Sequence, residues 1–204
     1  MPNTSPAPNP WVTPVILTGR RVRLEPLSMD HLDDLVEVGL DTSIWALTIA
    51  RPTDRAGIEA WLRAAIASGA AGLDVPFATI DLASTRAIGS TRYMSIVPDH
   101  RRLEIGWTWV GTAYQRTGLN REAKALQLAH AFDVLGANRV EFKTDARNDK
   151  SRTALLGIGA TFEGIFREHM IMPAGPLRDS AYYSVVSAEW PAVRDRLRAS
   201  LEGR

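Results

Sequence analysis

The chain has 204 residues, a length that fits a single globular domain. Its residues are 45% apolar and 23% charged, and the formal net charge of +1 argues against a general attraction to nucleic acid or to a membrane. The sequence contains no cysteine, which excludes thiol nucleophiles, thiolate metal sites and disulfides and is compatible with a cytoplasmic location.

The first fourteen residues, "MPNTSPAPNPWVTP", hold five prolines and neither a basic cluster nor an apolar run. This composition predicts a flexible Pro-rich arm over residues 1–14 and not a signal peptide. The alternative is a segment that packs through Trp11 onto the body or onto a neighbouring molecule. Residues 15–204 show no linker and are predicted to form one domain, in which no segment reaches the roughly 18 uncharged apolar residues of a membrane span.

The first half of the domain is predicted to contain one strand, two helices and three further strands. In "RRVRLEPL", Val22 and Leu24 alternate with charged residues, as in a half-exposed strand. Ser28 is a candidate cap for the helix "SMDHLDDLVEVGL", and a second helix is predicted over residues 55–68. "PFATIDL" and "AIGSTRYMSI" are strands around a short polar turn, and "LEIGWTWV" is the fourth strand.

The second half begins with the longest predicted helix, over residues 119–135, whose two apolar seams indicate burial on more than one side. The strand "RVEFKT" follows, and then a short helix from Ser151 to the glycines at 157–159. "ATFEGIFREHMIM" and "SAYYSVV" are predicted to pair as strands, and "EWPAVRDRLRASL" is the last helix. The order β-α-α-β-β-β-α-β-α-β-β-α indicates an α+β fold, a mixed sheet of about seven strands with helices on its faces.

The loop "YQRTGLNR", residues 114–121, joins a strand to the start of the long helix. Backbone N–H groups in the first turn of a helix lack partners and can point at an anion. Gly118 permits a close backbone approach, and Arg116 and Arg121 add donors suited to phosphate. The alternative is an ordinary turn in which Asn120 caps the helix.

Two other patterns indicate no site. The four histidines are scattered without the spacing of metal ligands, so no metal site is expected. The stretch "GIGATFEG" follows a helix and precedes a strand, which is the reverse of what a dinucleotide fingerprint needs.

Together these patterns resemble the GNAT superfamily of acyl-CoA-dependent N-acyltransferases over nearly the whole chain. The coenzyme A loop of that family reads Gln/Arg-x-x-Gly-x-Gly/Ala; Gln115 and Gly118 match it, while Asn120 replaces the small last residue. In "NDKSRTALLGIGATFEG", Asn148 and Ser151 match the Asn and the small polar residue that the family carries after the next strand. "GSTRY", "LEIGWTWV" and "RDSAYYS" resemble the RimJ/RimL-like branch, the ribosomal-protein N-terminal acetyltransferases.

The resemblance implies acetyl-CoA as cosubstrate, without a metal, and a GNAT fold in which "LEIGWTWV" splays from the parallel strand that follows it. The exposed backbone of Trp109 and Val110 would then pair with the pantetheine arm and polarise the thioester. The loop and helix start would hold the pyrophosphate. The implied contacts there come from Gln115, Arg116, Thr117, Gly118, Leu119, Asn120 and Arg121, with further coenzyme contacts from Asn148 and Ser151.

Glu104 stands where several members of the family carry a water-mediated general base, which the transfer needs because an ammonium group has no lone pair. The alternative is a salt bridge to Arg101 or Arg102 at a strand edge. The spacing from Glu104 to Gln115 is one residue longer than the common family pattern, which indicates a bulge or a longer loop. The Tyr that many members use as general acid is replaced by Leu155.

The predicted function is direct transfer of an acetyl group, in a ternary complex, to a primary amine on a protein N-terminus or a small molecule. Two alternatives remain: transfer of a larger acyl group such as succinyl, which needs a cationic patch at the acyl end, and a non-catalytic acyl-CoA sensor. The candidates for an apolar wall of the acceptor pocket are Trp45, Trp61, Tyr93 and Trp107, and for these residues the alternative is aromatic packing in the core. The expected partners include neither nucleic acid nor membrane, and a homodimer is compatible with the sequence.

Overall fold

The computed structural model describes residues 9–173 and 175–202, which form one eight-stranded sheet with helices on both faces. The strands are β1 (Leu17–Thr18), β2 (Val22–Pro26), β3 (Val75–Asp81), β4 (Arg86–Val97), β5 (Arg102–Val110), β6 (Arg139–Asp145), β7 (Thr161–Ile171) and β8 (Leu177–Val186). The helices are α1 (Leu32–Gly39), α2 (Arg55–Ala70), α3 (Leu119–Ala129), α4 (Asp149–Ile158) and α5 (Trp190–Glu202). The strand order is β1-β2-β3-β4-β5-β6-β8-β7, and β5 and β6 form its one parallel pair. This arrangement confirms the predicted mixed, mostly antiparallel sheet flanked by helices.

The structure differs from the predicted elements in two places. The two-residue strand β1 raises the number of strands from seven to eight. The longest predicted helix leaves the α-helical form after Ala129 and continues as a π-helical turn, His130–Val134, in which the N–H of Leu135 donates to the carbonyl of His130 at 3.0 Å. Such a turn takes in one extra residue, and apolar periodicity does not reveal it.

The two faces of the sheet bury separate apolar clusters. Under α3, α4 and α5 lies the larger cluster, which includes the fully buried Phe77 and Tyr93. Under α1 and α2 lies the second cluster, which includes Leu35 and Ile58. Strand β5 contributes side chains to both clusters.

Strands β5 and β6 pair for only three residues and then separate. Their register runs from Arg102 opposite Arg139 to Glu104 opposite Glu141. Beyond Glu104, the side of β5 that faces β6 has no strand partner, so its backbone groups are open in the middle of the sheet. The splay that the resemblance implies is therefore present.

The extra residue of β5 forms a β-bulge. Gly106 lies opposite Arg92 of β4 and Trp109 lies opposite Ser90, so that two residues of β5 face one residue of β4. Trp107, inside the bulge, has a φ of 49° in the left-handed region. The bulge accounts for the extra residue of sequence spacing, and it reverses the face to which the later side chains of β5 point.

The described part of the N-terminal segment packs against the domain. Trp11 is 8% exposed and belongs to the larger apolar cluster. This contact agrees with the alternative in which Trp11 attaches the segment to the body. Residues 1–8 of the predicted arm lie outside the described residues.

We expect Trp11→Ala to lower the free energy of unfolding by roughly 3 kcal/mol, because a large aromatic side chain leaves the core. Ile16→Ala, at a side chain that is 58% exposed, is the matched control and should lower it by less than about 0.5 kcal/mol. Chemical denaturation followed by circular dichroism measures both variants. Equal effects of the two substitutions would contradict a stabilising contact of the segment.

Candidate active site

The loop between β5 and α3 gathers unpartnered backbone N–H groups. Arg116 and Gly118 have φ values of 63° and 94°, which curl the chain just before α3 begins. Within residues 9–173 and 175–202, the N–H groups of residues 116–118, 120 and 121 have no acceptor. Successive free N–H groups at a helix start form a concave site for an anion. Holding a non-glycine residue at positive φ costs about 1–2 kcal/mol, so the turn is constrained for a reason beyond connecting two elements.

Asn120 does not cap α3. The N-cap residue is Gly118, and this helix has no side-chain cap. Asn120 is the second residue of the helix, and its side chain forms no hydrogen bond to the rest of the described chain. The capping role considered for Asn120 is therefore wrong, and its amide is available to a ligand.

Side-chain contacts hold the loop in shape. Arg21, in the turn between β1 and β2, donates from Nη1 to the carbonyl of Thr117 at 3.0 Å. The hydroxyl of Thr117 donates to the carbonyl of Tyr114 at 2.7 Å. The buried carboxylate of Glu122 accepts hydrogen bonds from the backbone N–H groups of Arg20 and Arg21, which ties the same turn to α3. The protein thus fixes the geometry of the loop by itself.

The end of β5 lies directly before this loop. Trp109 and Val110 pair with β4 on one side and have no strand partner on the other. The carbonyl of Val110 accepts a hydrogen bond from Nε2 of Gln115 at 3.3 Å. A Cβ at Gly89 would lie 2.1 Å from the carbonyl oxygen of Trp109, so the close approach of β4 requires glycine. The predicted cofactor residues of β5 and of the loop therefore lie side by side.

Asn148 and Ser151 begin α4, which follows β6 and packs beside α3. Oδ1 of Asn148 caps α4 by accepting the N–H of Ser151 at 3.1 Å. Arg121 of α3 extends toward α4, and its Nη2 lies 3.8 Å from the position of a Cβ on Gly157. Leu155, at the position of the usual general acid, is buried in the core. These two predicted cofactor residues thus lie across the β5–β6 gap from the anion-binding loop.

Glu104 is buried at the point where β5 and β6 separate. It is 4% exposed, and its Oε2 lies 3.5 Å from Nζ of Lys143. Burial raises the pKa of Glu104 above that of an ordinary carboxyl group, although the charge of Lys143 acts in the opposite direction. The alternative salt bridge is wrong, because in the described chain neither Arg101 nor Arg102 forms an ion pair with Glu104, and Arg102 lies 3.3 Å from Glu141 instead. A carboxylate with a raised pKa suits a general base that works near neutral pH.

The face of the sheet under α1 and α2 carries most of the aromatic residues expected around an acceptor. Trp45 and Trp61 pack against Trp109, with ring centroids 4.9 and 5.6 Å away. Trp107 packs against the same cluster. Tyr93 does not belong to this group, because β4 directs it into the cluster under α3. Trp45 and Trp61 therefore pack in the core of this face, and a wall around the acceptor stays a prediction.

An open pocket of about 710 Å³ lies against β7 and β8, next to this face. Its lining residues are Phe166, Arg167, Glu168, His169 and Asp179. The ring of Phe166 stacks on Tyr182 with a centroid separation of 4.2 Å, and Nζ of Lys143 lies 5.9 Å from the Tyr182 ring. Tyr182 and Lys143 thus connect the pocket to Glu104, and the two acidic side chains suit an approaching amine.

A buried lysine supports the bulge from the opposite face. Nζ of Lys124, on α3, donates to the hydroxyl groups of Thr91 and Thr108 at 3.0 and 2.5 Å and to Oε1 of Gln127 at 3.2 Å. Burial lowers the pKa of Lys124 to about 7, and no carboxylate in the described chain forms an ion pair with it. Because Thr108 belongs to the bulge, Lys124 fastens α3 to the irregular part of β5.

Lys124→Met should remove a pH dependence of stability. The folded protein binds the Lys124 proton more weakly than the unfolded chain does, so this residue makes stability rise as the pH increases above about 7. The stability of the variant relative to the wild type should therefore be highest at about pH 6 and should decrease toward about pH 9. Thermal melts of both proteins measure the difference. Lys150→Met, at an exposed lysine of α4, is the control and should show no trend; a constant difference for Lys124→Met would contradict the expectation.

The acetyltransferase (GNAT) domain family matches residues 21–161, more than half of the chain. Among solved structures, a GCN5-related N-acetyltransferase from Brucella melitensis is 35% identical, with a TM-score of 0.86 over 98% of this chain and 90% of that one. RimJ of Mycobacterium smegmatis, solved in complex with CoA-disulfide, has the same fold, with a TM-score of 0.75 at 20% identity over 92% of this chain and 93% of that one.

A Bacillus subtilis protein named as a ribosomal N-acetyltransferase, YdaF, is 32% identical over 91 residues, or 45% of this chain. The matched stretch spans 49% of that relative, about half of its length.

The splayed strands, the loop before α3 and these similarities define a fold of the GNAT class. The chain belongs to the GNAT acetyltransferase family, which confirms the family predicted from the sequence. The name of the Bacillus subtilis relative agrees with the predicted RimJ/RimL-like branch. Among the described residues, no helix is long and apolar enough to cross a membrane, and no potential metal ligands cluster in groups of three.

Proposed function

We propose that the protein transfers an acetyl group from acetyl-CoA to a primary amine by direct attack in a ternary complex. The observation that carries this proposal is the set of free N–H groups at the start of α3, beside the unpaired edge of β5. The free N–H groups can bind an anion, and the unpaired edge of β5 can pair with an extended chain. Coenzyme A contains both kinds of group in one molecule, because its pyrophosphate is followed by the extended pantetheine arm with its amides. Glu104, at the start of the gap, is the proton acceptor.

Acetyl-CoA binds across the gap between β5 and β6 in this proposal. The free N–H groups of the loop hold the pyrophosphate, with added charge from Arg116 and Arg121. The open edge of β5 pairs with the pantetheine arm and leaves N–H groups that stabilise the oxyanion of the tetrahedral intermediate. The proposed contacts are Trp109, Val110, Gln115, Arg116, Thr117, Gly118, Leu119, Asn120, Arg121, Asn148 and Ser151.

Proton transfer to Glu104 starts the reaction. The carboxylate takes a proton from the substrate ammonium group through a water molecule, which exposes the lone pair of the amine. The amine nitrogen attacks the thioester carbonyl carbon, the nitrogen of the tetrahedral intermediate releases its extra proton to water, and the carbon–sulfur bond then breaks. The thiolate leaves with the electron pair of that bond and takes a proton from water, because Leu155 supplies none. Lys143 stabilises the ionised form of Glu104, which keeps a buried carboxyl usable as a base.

The acceptor is a peptide N-terminus or a small-molecule amine. The open pocket beside β7 and β8 has room for a chain and presents Glu168 and Asp179 to a cation. Similarity to a protein named as a ribosomal N-acetyltransferase supports the peptide N-terminus.

Release of free thiol from acetyl-CoA in the presence of a panel of peptides and small amines tests the activity. We expect amine-dependent thiol release, together with a mass increase of the acceptor by one acetyl group. Tight binding of acetyl-CoA without thiol release for any amine would contradict transfer and would favour an acyl-CoA sensor.

Glu104→Gln should lower kcat by about 100-fold, because an amide cannot accept the proton, with little change in the dissociation constant of acetyl-CoA. Since the pKa of Glu104 is raised, the wild-type rate should increase with pH above the range of an ordinary carboxyl group. This increase should be absent from the variant. Steady-state kinetics and calorimetric titration measure the two effects.

Glu141→Gln is the matched control for this variant, because Glu141 lies opposite Glu104 but is paired with Arg139 at 2.8 Å. It should keep the maximal rate within a few fold and keep the increase with pH, which should begin at slightly lower pH because the charge of Glu141 contributes to the raised pKa of Glu104. If Glu104→Gln turned over at the wild-type rate at every pH, the role of Glu104 as the base would be ruled out.

Asn120→Ala should weaken acetyl-CoA binding by about tenfold if the free amide donates to a phosphate oxygen. Asn120→Asp should weaken it further, because a carboxylate repels the pyrophosphate. Asn138→Ala, at an exposed residue before β6, is the control. Calorimetric titration measures the dissociation constants, and equal values for Asn120→Ala and the control would show that Asn120 makes no contact.

A further inference from the structure

One buried cation close to Glu104 lacks a carboxylate partner. Arg178 of β8 is 7% exposed, and its Nε is buried without an acceptor. Throughout residues 9–173 and 175–202, the side chain of Arg178 forms neither a hydrogen bond nor an ion pair. A buried charge without a bonded partner is costly, and such a charge calls for a specific explanation.

Three buried or half-buried carboxylates of this part of the sheet are each paired with another cation. Glu104 lies 3.5 Å from Lys143, Glu141 lies 2.8 Å from Arg139, and Asp145 lies 2.8 Å from Arg147. Asp145 accepts further hydrogen bonds from the N–H and the Nε of Arg147, so its oxygens are occupied. Arg178 is therefore the surplus cation of this group.

Arg178 faces the same side of the sheet as the candidate base. Along β8 it lies on the same face as Ser180 and Tyr182, which follow at every second position, and Tyr182 lies opposite Lys143 in the register of β6 and β8. Burial lowers the pKa of Arg178, while the negative charges of Asp145 and Glu104 act against this effect. Arg178 is thus near enough to both carboxylates to interact through space without bonding to either.

We propose that Arg178 and Lys143 bind a carboxylate carried by one of the two substrates, beside Glu104. The guanidinium fork matches the two oxygens of a carboxylate, and Lys143 adds a second positive charge. The pyrophosphate of coenzyme A does not occupy this site, because its proposed N–H donors lie at the start of α3. The inference rests on the proposed function and names the substrate class of the same site.

The carboxylate has two chemical sources. It is either the end of a dicarboxylic acyl group such as succinyl, or the carboxylate of an acceptor that carries one near its amine, such as an amino acid. Both sources present the same group to Arg178, so separate titrations distinguish them.

The first titration compares succinyl-CoA with butyryl-CoA on the full-length protein by calorimetry. The two acyl groups have equal numbers of carbons, and only succinyl ends in a carboxylate. If the donor carries the group, the wild type should bind succinyl-CoA about tenfold more tightly than butyryl-CoA.

The second titration compares an amino acid with its carboxamide on protein saturated with coenzyme A. The two ligands share the amine and the side chain, and only the amino acid has a carboxylate. If the acceptor carries the group, the amino acid should bind about tenfold more tightly than the amide. Leucine and leucinamide serve as the first pair.

Arg178→Met should abolish the preference for the carboxylate in whichever titration shows it. Arg178→Lys should keep part of it, since the charge remains while the fork is lost. Lys143→Met, at a half-buried lysine, should reduce the same preference for the carboxylate independently of Arg178. Arg63→Met, which removes an exposed arginine paired with Glu59 on α2, is the control and should keep the whole preference.

No preference for a carboxylate in either titration of the wild type would overturn the proposal, as would a preference that survives in Arg178→Met. Each result is a ratio of two dissociation constants within one variant, so a lower yield of folded protein does not change it. Both titrations measure binding without turnover. Failure of acetyl transfer in the thiol-release assay would therefore contradict the proposed function, but the two titrations could still be interpreted.

Discussion

The separation of β5 from β6 after Glu104 is the constraint on which the rest of the structure depends. Unpaired N–H and C=O groups in the interior of a sheet cost free energy unless water or a ligand satisfies them. Three residue pairs join the two strands, and beyond them one edge of β5 is open. The loop before α3, the proposed cofactor site and the candidate base all border this opening.

Packing on both faces keeps β5 open and rigid. On one face, Lys124 binds Thr91 and Thr108 and so fastens α3 to the bulge. On the other face, Trp109 packs against two further tryptophans under α1 and α2. The bulge itself turns the later side chains of β5, which is how Thr108 reaches α3 and Trp109 reaches the opposite cluster. A strand held from both sides presents its backbone in one fixed geometry to a ligand.

Charged side chains also lie beside the opening between β5 and β6. Burial and Lys143 act in opposite directions on the pKa of Glu104, and the net effect is a base with raised affinity for protons. Arg178 adds a positive charge that no carboxylate of the described chain neutralises by contact. The face of the sheet that contains Glu104 therefore contains both the proposed proton acceptor and an unmatched cation.

The sequence alone determined seven of the eight strands, the five helices and the family, because these follow from local periodicity and from motifs of contiguous residues. It also singled out the loop at residues 114–121 and Glu104 as candidates. It revealed neither the short strand β1 nor the π-helical turn after α3. It did not identify Lys143 or Arg178, which stand in ordinary alternating strands. Their role arises from the parallel register of β5 and β6 and from the pairing of β6 with β8. Only the tertiary structure decided on which face of the sheet Tyr93 lies, which cation pairs with Glu104 and which cation has no partner. Such choices depend on register and burial between segments far apart in the chain, and no local pattern encodes them.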